Sequence, residues 1–238
     1  MIPVLFSLSL RQAISIRRLL LLALVALIPF LIVAPVLLTG NNDDGTFIDL
    51  FTGLVVSIIL PMIVIILATG AFGNELEDRT LSLLTTRPVP RSYIVFAKLA
   101  ATVVVAAPMA AVPAAVLVAL DPSASSTTIA ATIVGSLICV VAYSSIFTWT
   151  GLMTQRALAF AVVYVFLWEG FATSLLEGLR YVSVRGYTFA ILHGIDNGGF
   201  SSLEEGIIEL QAGMVGAAAA IALFFAATVY RLRRMDVP

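Results

Sequence analysis

Long apolar runs alternate with short polar ones along the whole chain. A helix needs about 20 apolar residues to cross a hydrocarbon core about 30 Å thick, and six windows approach or exceed that length. Glu169 interrupts the fifth window. The six windows cover residues 19–39, 50–72, 94–120, 127–153, 157–176 and 210–230. This pattern predicts an all-α integral membrane protein, with six transmembrane helices in a single transmembrane domain over residues 1–238.

Two further segments have a mixed pattern. Residues 2–18 carry a polar stripe on one helical face, which predicts an amphipathic helix lying in the membrane interface; the alternative is a solvated leader. Residues 177–208 are apolar enough for the membrane surface but too short and polar to span it, which predicts short helices at the outer face. The polar stripe of the first segment consists of Ser7, Arg11, Ser15 and Arg18.

The composition supports the membrane interpretation. Hydrophobic residues make up 61% of the chain, charged residues 11%, and the mean hydropathy is +1.08, which is more apolar surface than a soluble fold can bury. Cys139 is the only cysteine and His193 the only histidine. An intramolecular disulfide is therefore excluded, and we expect no metal site and no nucleic-acid partner.

The basic residues are concentrated in alternate connections between the windows. Eleven of the 13 lysines and arginines lie at the two termini, in or just after residues 72–93, or in the turn after the fourth window. Only Arg180 and Arg185 lie elsewhere. The positive-inside rule then predicts that both termini and residues 72–93 are cytoplasmic. We expect a multi-pass protein of the plasma membrane, in a prokaryotic cell.

The most polar connection, residues 74–92, predicts a short capped helix outside the bilayer. Asn74 is a good N-cap, and Glu77 follows at the spacing of a capping box. Glu75 and Arg79 form an i,i+4 pair in the favourable orientation, and the Arg-Pro step after residue 86 ends the helix. A surface of charges and leucines suits docking to a soluble partner, but a merely solvated helix fits these residues equally well.

The stretch "NELEDRTLSLLTTRPVPRSYIVFAK" resembles the signature of permeases of the type-2 class of ABC exporters. In that family the connection between spans two and three is a coupling helix that contacts an ATP-hydrolysing subunit. The family often has glycine where this chain has Arg79, which is a minor departure. By this resemblance the coupling residues are Glu75, Glu77, Asp78, Arg79, Thr80, Leu81, Leu84, Arg87 and Arg91.

The resemblance also implies the composition of the complex. Two permease chains, identical or different, and two ATPase chains would surround one pathway in the membrane lipid, with ATP and Mg bound by the ATPase. The chain lacks the G-x-x-x-x-G-K-[ST] motif of a phosphate-binding loop, since its only lysine, Lys98, follows Phe96-Ala97. We therefore expect no catalytic residues here, and a permease subunit rather than an enzyme. The scarcity of charge within the windows favours lipidic or amphipathic cargo.

Two other functions are compatible with parts of the sequence. The chain could be a membrane anchor or assembly factor for an ATPase, without transport. Glu75 and Arg79 match part of an intramembrane protease motif, but such proteases need two further histidines. Glu169 has three interpretations: a pathway or outer-gate residue, an anchor for the outer-face helices, or a residue in the headgroup zone if the fifth window ends early.

Overall fold

The computed structural model describes residues 2–39, 45–77, 90–154, 156–175, 177–203 and 208–235, and in these ranges the chain is helical with no strand. Five of the described helical stretches are long and apolar enough to cross a membrane. This confirms the all-helical membrane fold. The five stretches are Ile16–Leu38, Thr46–Gly73, Arg91–Ala119, Ser126–Met153 and Leu210–Arg234.

The α-helices are numbered in chain order through the described residues. They are α1 (Ile2–Ala13), α2 (Ile16–Thr39), α3 (Thr46–Leu50), α4 (Leu60–Ala68), α5 (Gly70–Glu77), α6 (Arg91–Ala119), α7 (Ser126–Met153), α8 (Ala157–Tyr164), α9 (Thr173–Leu175), α10 (Val184–Ile195) and α11 (Leu210–Arg234). Two π-helical segments, Phe51–Ile59 and Val165–Ala172, connect α3 to α4 and α8 to α9.

The fifth predicted window forms a shorter apolar helix than the other five. Helix α8 continues into the π-helical segment, so that Ala157–Ala172 is one apolar helical stretch. Its length falls below that of the five candidate spans, and a sixth crossing stays a prediction.

The predicted helix over residues 2–18 is two helices rather than one. Helix α1 ends at Ala13, and α2 begins at Ile16. The carbonyl of Ser15 accepts a hydrogen bond from the Leu19 amide, and this bond forms the first turn of α2. The apolar side of α1 packs against α6, because burying that side against the protein removes more apolar surface from water than an isolated helix could. Arg17 and Arg18 therefore belong to the first spanning helix.

Helix α7 lies at the centre of the bundle, in contact with α4, α6, α10 and α11. Its Tyr143 and Phe147 rings are fully buried and stack with their centroids 5.4 Å apart. Helices α2 and α11 lie at the edge, where Leu31 and Val215 are 70% and 68% exposed. Apolar surface of that extent needs lipid or another apolar chain around it.

The first four spanning stretches run in alternating directions, and α11 runs parallel to α7. The bundle therefore has two ends. At one end Phe72, Ile94, Leu152 and Leu232 pack in one buried cluster. We call this the Lys98 end. At the other, the Asp121 end, Asp121 binds the backbone at the start of α3.

The predicted outer-face segment, residues 177–208, lies at the Asp121 end in its described part. It contains a 3-10 helix over Glu177–Val182, then α10, then a short 3-10 turn over Ser201–Leu203. Helix α10 packs between α7 and α11. The side of the membrane on which the segment lies stays a prediction.

Candidate functional site

The predicted coupling segment leaves and re-enters the bundle at the Lys98 end. Its described ends are the last turn of α5 and the start of α6 at Arg91. Glu77 is the last described residue of α5. The remaining predicted coupling residues lie outside the described part of the chain. These are Asp78, Arg79, Thr80, Leu81, Leu84 and Arg87.

The predicted capping role of Asn74 is wrong. Helix α5 begins at Gly70, so Asn74 lies inside it, and Glu75 and Glu77 lie beyond its first turn. The helical backbone continues from α4 almost without interruption, since Thr69 bonds back to Ile65. Glu75 is buried, and a buried carboxylate needs a compensating partner.

Lys98 is the basic partner of Glu75. Its Nζ lies 2.7 Å from Glu75 Oε1, donates a second hydrogen bond to the Ala71 carbonyl, and sits 4.8 Å from the centroid of the Phe72 ring. The two charged side chains are only 4% and 8% exposed. A buried ion pair of this kind is stable only with good geometry and further hydrogen bonds, and here the lysine has both.

The ion pair joins the two helices that border the coupling segment. Glu75 lies on α5 and Lys98 on α6. The neighbouring cluster of Phe72, Ile94, Leu152 and Leu232 adds α7 and α11 to the same packed unit. The base of the segment is therefore held by four helices at once.

Two polar atoms at this base have no hydrogen-bond partner within the described ranges. One is Glu75 Oε2 and the other is Nη1 of Arg91, and both atoms are buried. Buried polar atoms are normally paired. Both lie beside the two ends of the coupling segment.

Glu169 occupies a second polar site, at the Asp121 end. It lies in the Val165–Ala172 π-helical segment and is 1% exposed. One carboxylate oxygen accepts the hydroxyl of Ser183 and, at 3.2 Å, the amide of Arg185. The other accepts the amide of Val184 at 3.0 Å and the hydroxyl of Tyr164 at 3.3 Å. The carboxylate thus binds the first amides of α10, where a helix favours an anion.

The segment after residue 177 folds back onto Glu169. Arg185 Nη1 donates to the Glu169 carbonyl at 3.4 Å, and Ser183 caps α10 by accepting the Gly186 amide at 3.0 Å. Of the three interpretations of Glu169, this geometry favours the anchor, because the carboxylate is enclosed by protein groups rather than by headgroups.

Sequence reasoning missed two other acids that fix connections at the Asp121 end. Asp121 accepts the amides of Gly45 at 3.1 Å, Phe47 at 3.0 Å and Ile48 at 3.3 Å. Asp196 accepts the Thr128 hydroxyl at 2.6 Å. The Asp-Pro-Ser sequence at 121–123 is typical of a turn in which the aspartate bonds to nearby backbone, and it could have indicated the first of them.

These hydrogen bonds shift both acids in the same direction. Burial raises the pKa of Asp121, but hydrogen bonds from Ser123, Gly45 and Phe47 together bring it below its ordinary value. For Asp196, the Thr128 hydroxyl has the largest effect and lowers the pKa. Both carboxylates are therefore held in the charged form by the folded protein.

Comparison with known proteins identifies the family. The family described as ABC-2 family transporter protein matches residues 14–184, which is more than half of the chain and includes both Glu75–Lys98 and Glu169. No curated protein matches the chain. Together with the apolar helical bundle, the family match shows that the chain belongs to the ABC-2 transporter family, as a membrane permease component of an ABC transporter.

Proposed function

We propose that the chain is the permease subunit of an exporter and that residues 74–92 dock onto a separate ATPase subunit. The observation that carries this proposal is the buried Glu75–Lys98 ion pair. It holds together the two helices between which the docking segment lies.

The ion pair also lets the docking segment transmit force to the spanning helices. A force applied to the segment by an ATPase would act on α5 and α6 together, because the ion pair and the adjacent apolar cluster make their ends one packed unit. Well-packed interiors transmit such displacements rather than absorbing them. ATP-driven movement of the partner would in this way reach the spanning helices.

The proposed topology has six crossings with both termini in the cytoplasm. The chain is helical without a break from Ala157 through Leu175, which is close to the roughly 20 residues that one crossing needs. The Lys98 end is then the cytoplasmic end, consistent with the distribution of lysines and arginines. The family resemblance adds a second permease chain and two ATPase chains, which would bind ATP and Mg.

Glu169 acts in this proposal as an anchor for α10. Its two carboxylate oxygens accept four hydrogen bonds, from Tyr164, Ser183, Val184 and Arg185. A carboxylate occupied in this way has little capacity left for cargo. The cargo is then amphipathic or lipidic, recognised by apolar surface.

The test is the ATP hydrolysis that accompanies the purified chain. Tagged chain is isolated from membranes of its own cells, and ATPase activity is measured in the eluate. We expect activity with the natural sequence and its loss in the double variant Leu81→Asp, Leu84→Asp, which places charge in the docking surface. The matched control, Ser126→Asp with Ser201→Asp, adds the same charge at the Asp121 end and should retain the activity.

The same preparation separates transport from anchoring. After reconstitution into vesicles, ATP-dependent movement of an amphipathic dye supports the permease. ATPase activity in the eluate with no ATP-dependent movement of any amphipathic dye would favour the anchor or assembly role instead.

A further inference from the structure

A long apolar groove runs between α2 and α6 on the outside of the bundle. Its volume is about 740 Å³. Leu10 and Ile14, at the end of α1 and the break after it, close one end, while the walls come from α2 and α6. Its lining includes short side chains, among them those of Ala23, Ala26 and Pro108.

The α1–α2 break at one end of the groove is rich in positive charge. Arg11 directly follows the groove residue Leu10, and Arg17 and Arg18 precede the groove residue Leu19. Arg11 and Arg17 are exposed, and Arg18 Nη1 donates to the Gln12 carbonyl at 3.4 Å, across the break between α1 and α2. Within this region the nearby acid Glu75 is already paired with Lys98.

The length of the groove matches one leaflet of a membrane. Its lining extends along α2 from Leu19 to Phe30, which is about 16 Å at the rise of an α-helix. Half of a hydrocarbon core of about 30 Å is about 15 Å. A chain entering beside the arginines would therefore end near the middle of the bilayer.

We propose that this groove is a binding site for one anionic phospholipid of the leaflet on the arginine side. An acyl chain lies between α2 and α6, and the phosphate lies against Arg11, Arg17 and Arg18. Apolar surface attracts the acyl chain of any lipid, whereas the three guanidinium groups select a headgroup with net negative charge.

The test measures which lipid stays on the protein. The full chain, with any partner chains that co-purify, is incubated in mild detergent with equal amounts of phosphatidylglycerol and phosphatidylcholine carrying the same acyl chains. Native mass spectrometry then gives the ratio of the two bound lipids. We expect phosphatidylglycerol to be preferred.

Two variants separate headgroup from acyl-chain recognition. Arg11→Gln, Arg17→Gln and Arg18→Gln together should lower the phosphatidylglycerol preference by at least roughly fivefold, the effect of one basic residue near an anionic surface. Ala23→Phe should fill the groove and remove both lipids. Melting temperatures of the variants confirm that they remain folded.

Matched controls use the same chemistry outside the groove. Arg231→Gln, Arg233→Gln and Arg234→Gln remove three charges at the same end of the bundle, and Leu24→Phe enlarges an exposed side chain of α2 that does not line the groove. Both controls should bind lipid as the natural chain does. The proposal is overturned if the arginine control loses the preference equally, or if Ala23→Phe retains phosphatidylglycerol.

A second copy of the chain is the competing occupant. Leu27 lines the groove and is 53% exposed, so Leu27→Cys in a Cys139→Ala background reports on it. We expect no disulfide-linked dimer in membranes treated with oxidant. Efficient dimer formation through position 27 would show that another permease chain covers the groove, and would overturn the lipid site.

Discussion

Glu75 and Lys98 show how two charges are accommodated inside an apolar bundle. The pair could not be read from the sequence, because 23 residues separate its members and the i,i+4 rule points from Glu75 to Arg79 instead. The types of residue were nevertheless informative, since charges in so apolar a chain had to be functional, paired or exposed. Which of these applied depended on how α5 and α6 pack.

Removing one member of this pair should destabilise the protein strongly. Lys98→Met leaves the Glu75 carboxylate buried without compensation, and the expected cost is about 3–5 kcal/mol. The double variant Glu75→Leu, Lys98→Met removes both charges and should recover most of that loss. Thermal unfolding in detergent measures both, and a single variant as stable as the natural chain would contradict the role of the pair.

Glu169 should behave as an anchor. Glu169→Gln keeps the shape but offers one acceptor oxygen instead of two, and therefore leaves at least one donor at the start of α10 unpaired, at about 1–3 kcal/mol. Glu169→Ala should cost more. Glu209→Gln, at an exposed acid before α11, is the control. A Glu169→Gln variant that unfolds normally but has lost transport would point to a pathway residue.

Asp121 and Asp196 should make stability fall in acid. Because folding lowers the pKa of both carboxyls, their contribution is complete above the ordinary value of 3.8 and is lost as pH falls through the lower folded pKa. We expect the contribution of these two carboxyls to the melting temperature to be steady above about pH 4 and to drop as the pH falls below it. The variant Asp121→Asn, Asp196→Asn should have a lower melting temperature at neutral pH, and that temperature should fall less in acid. Asp49→Asn, which changes an exposed acid, should lose as much melting temperature in acid as the natural chain does.

At the scale of helices, hydrophobic periodicity identified the elements better than their ends. Four of the apolar windows correspond to α2, α6, α7 and α11. The agreement is good because the thickness of the hydrocarbon core sets the length of both the apolar run and the helix. The boundaries at Ala13 and Gly70 differ from expectation for tertiary reasons. Packing of α1 on α6 ends one helix early, and continuation of α4 past Thr69 overrides the capping signal at Asn74.

The close approach of α7 to the end of α4 should tolerate no added side chain. A Cβ at Gly151 would lie 2.5 Å from the Thr69 carbonyl oxygen, so Gly151→Ala must push the two helices apart, at about 1–3 kcal/mol. Gly53→Ala is the control, because a Cβ there meets nothing within 4 Å. Unchanged thermal stability of Gly151→Ala would contradict a close contact between these two helices.

For the whole molecule, the sequence showed that basic and acidic residues are concentrated at opposite ends of the bundle. It did not show which groups the acids bind. Counting the basic residues predicts an orientation in the membrane. The acids at the other end were counted only as charge, whereas Asp121, Glu169 and Asp196 bind helix starts and turns there. Such contacts depend on which connections become neighbours once the bundle has formed, and no local pattern specifies that.

Cross-linking gives a direct test of whether the segment between α5 and α6 docks on an ATPase. A photoreactive amino acid replaces Leu84, or Ser201 as the control at the opposite end, in cells of the source organism, and cross-linked adducts are probed with a photoreactive ATP analogue. We expect an ATP-labelled adduct from position 84 and none from position 201. No ATP-labelled adduct from position 84, or an equal one from position 201, would contradict it.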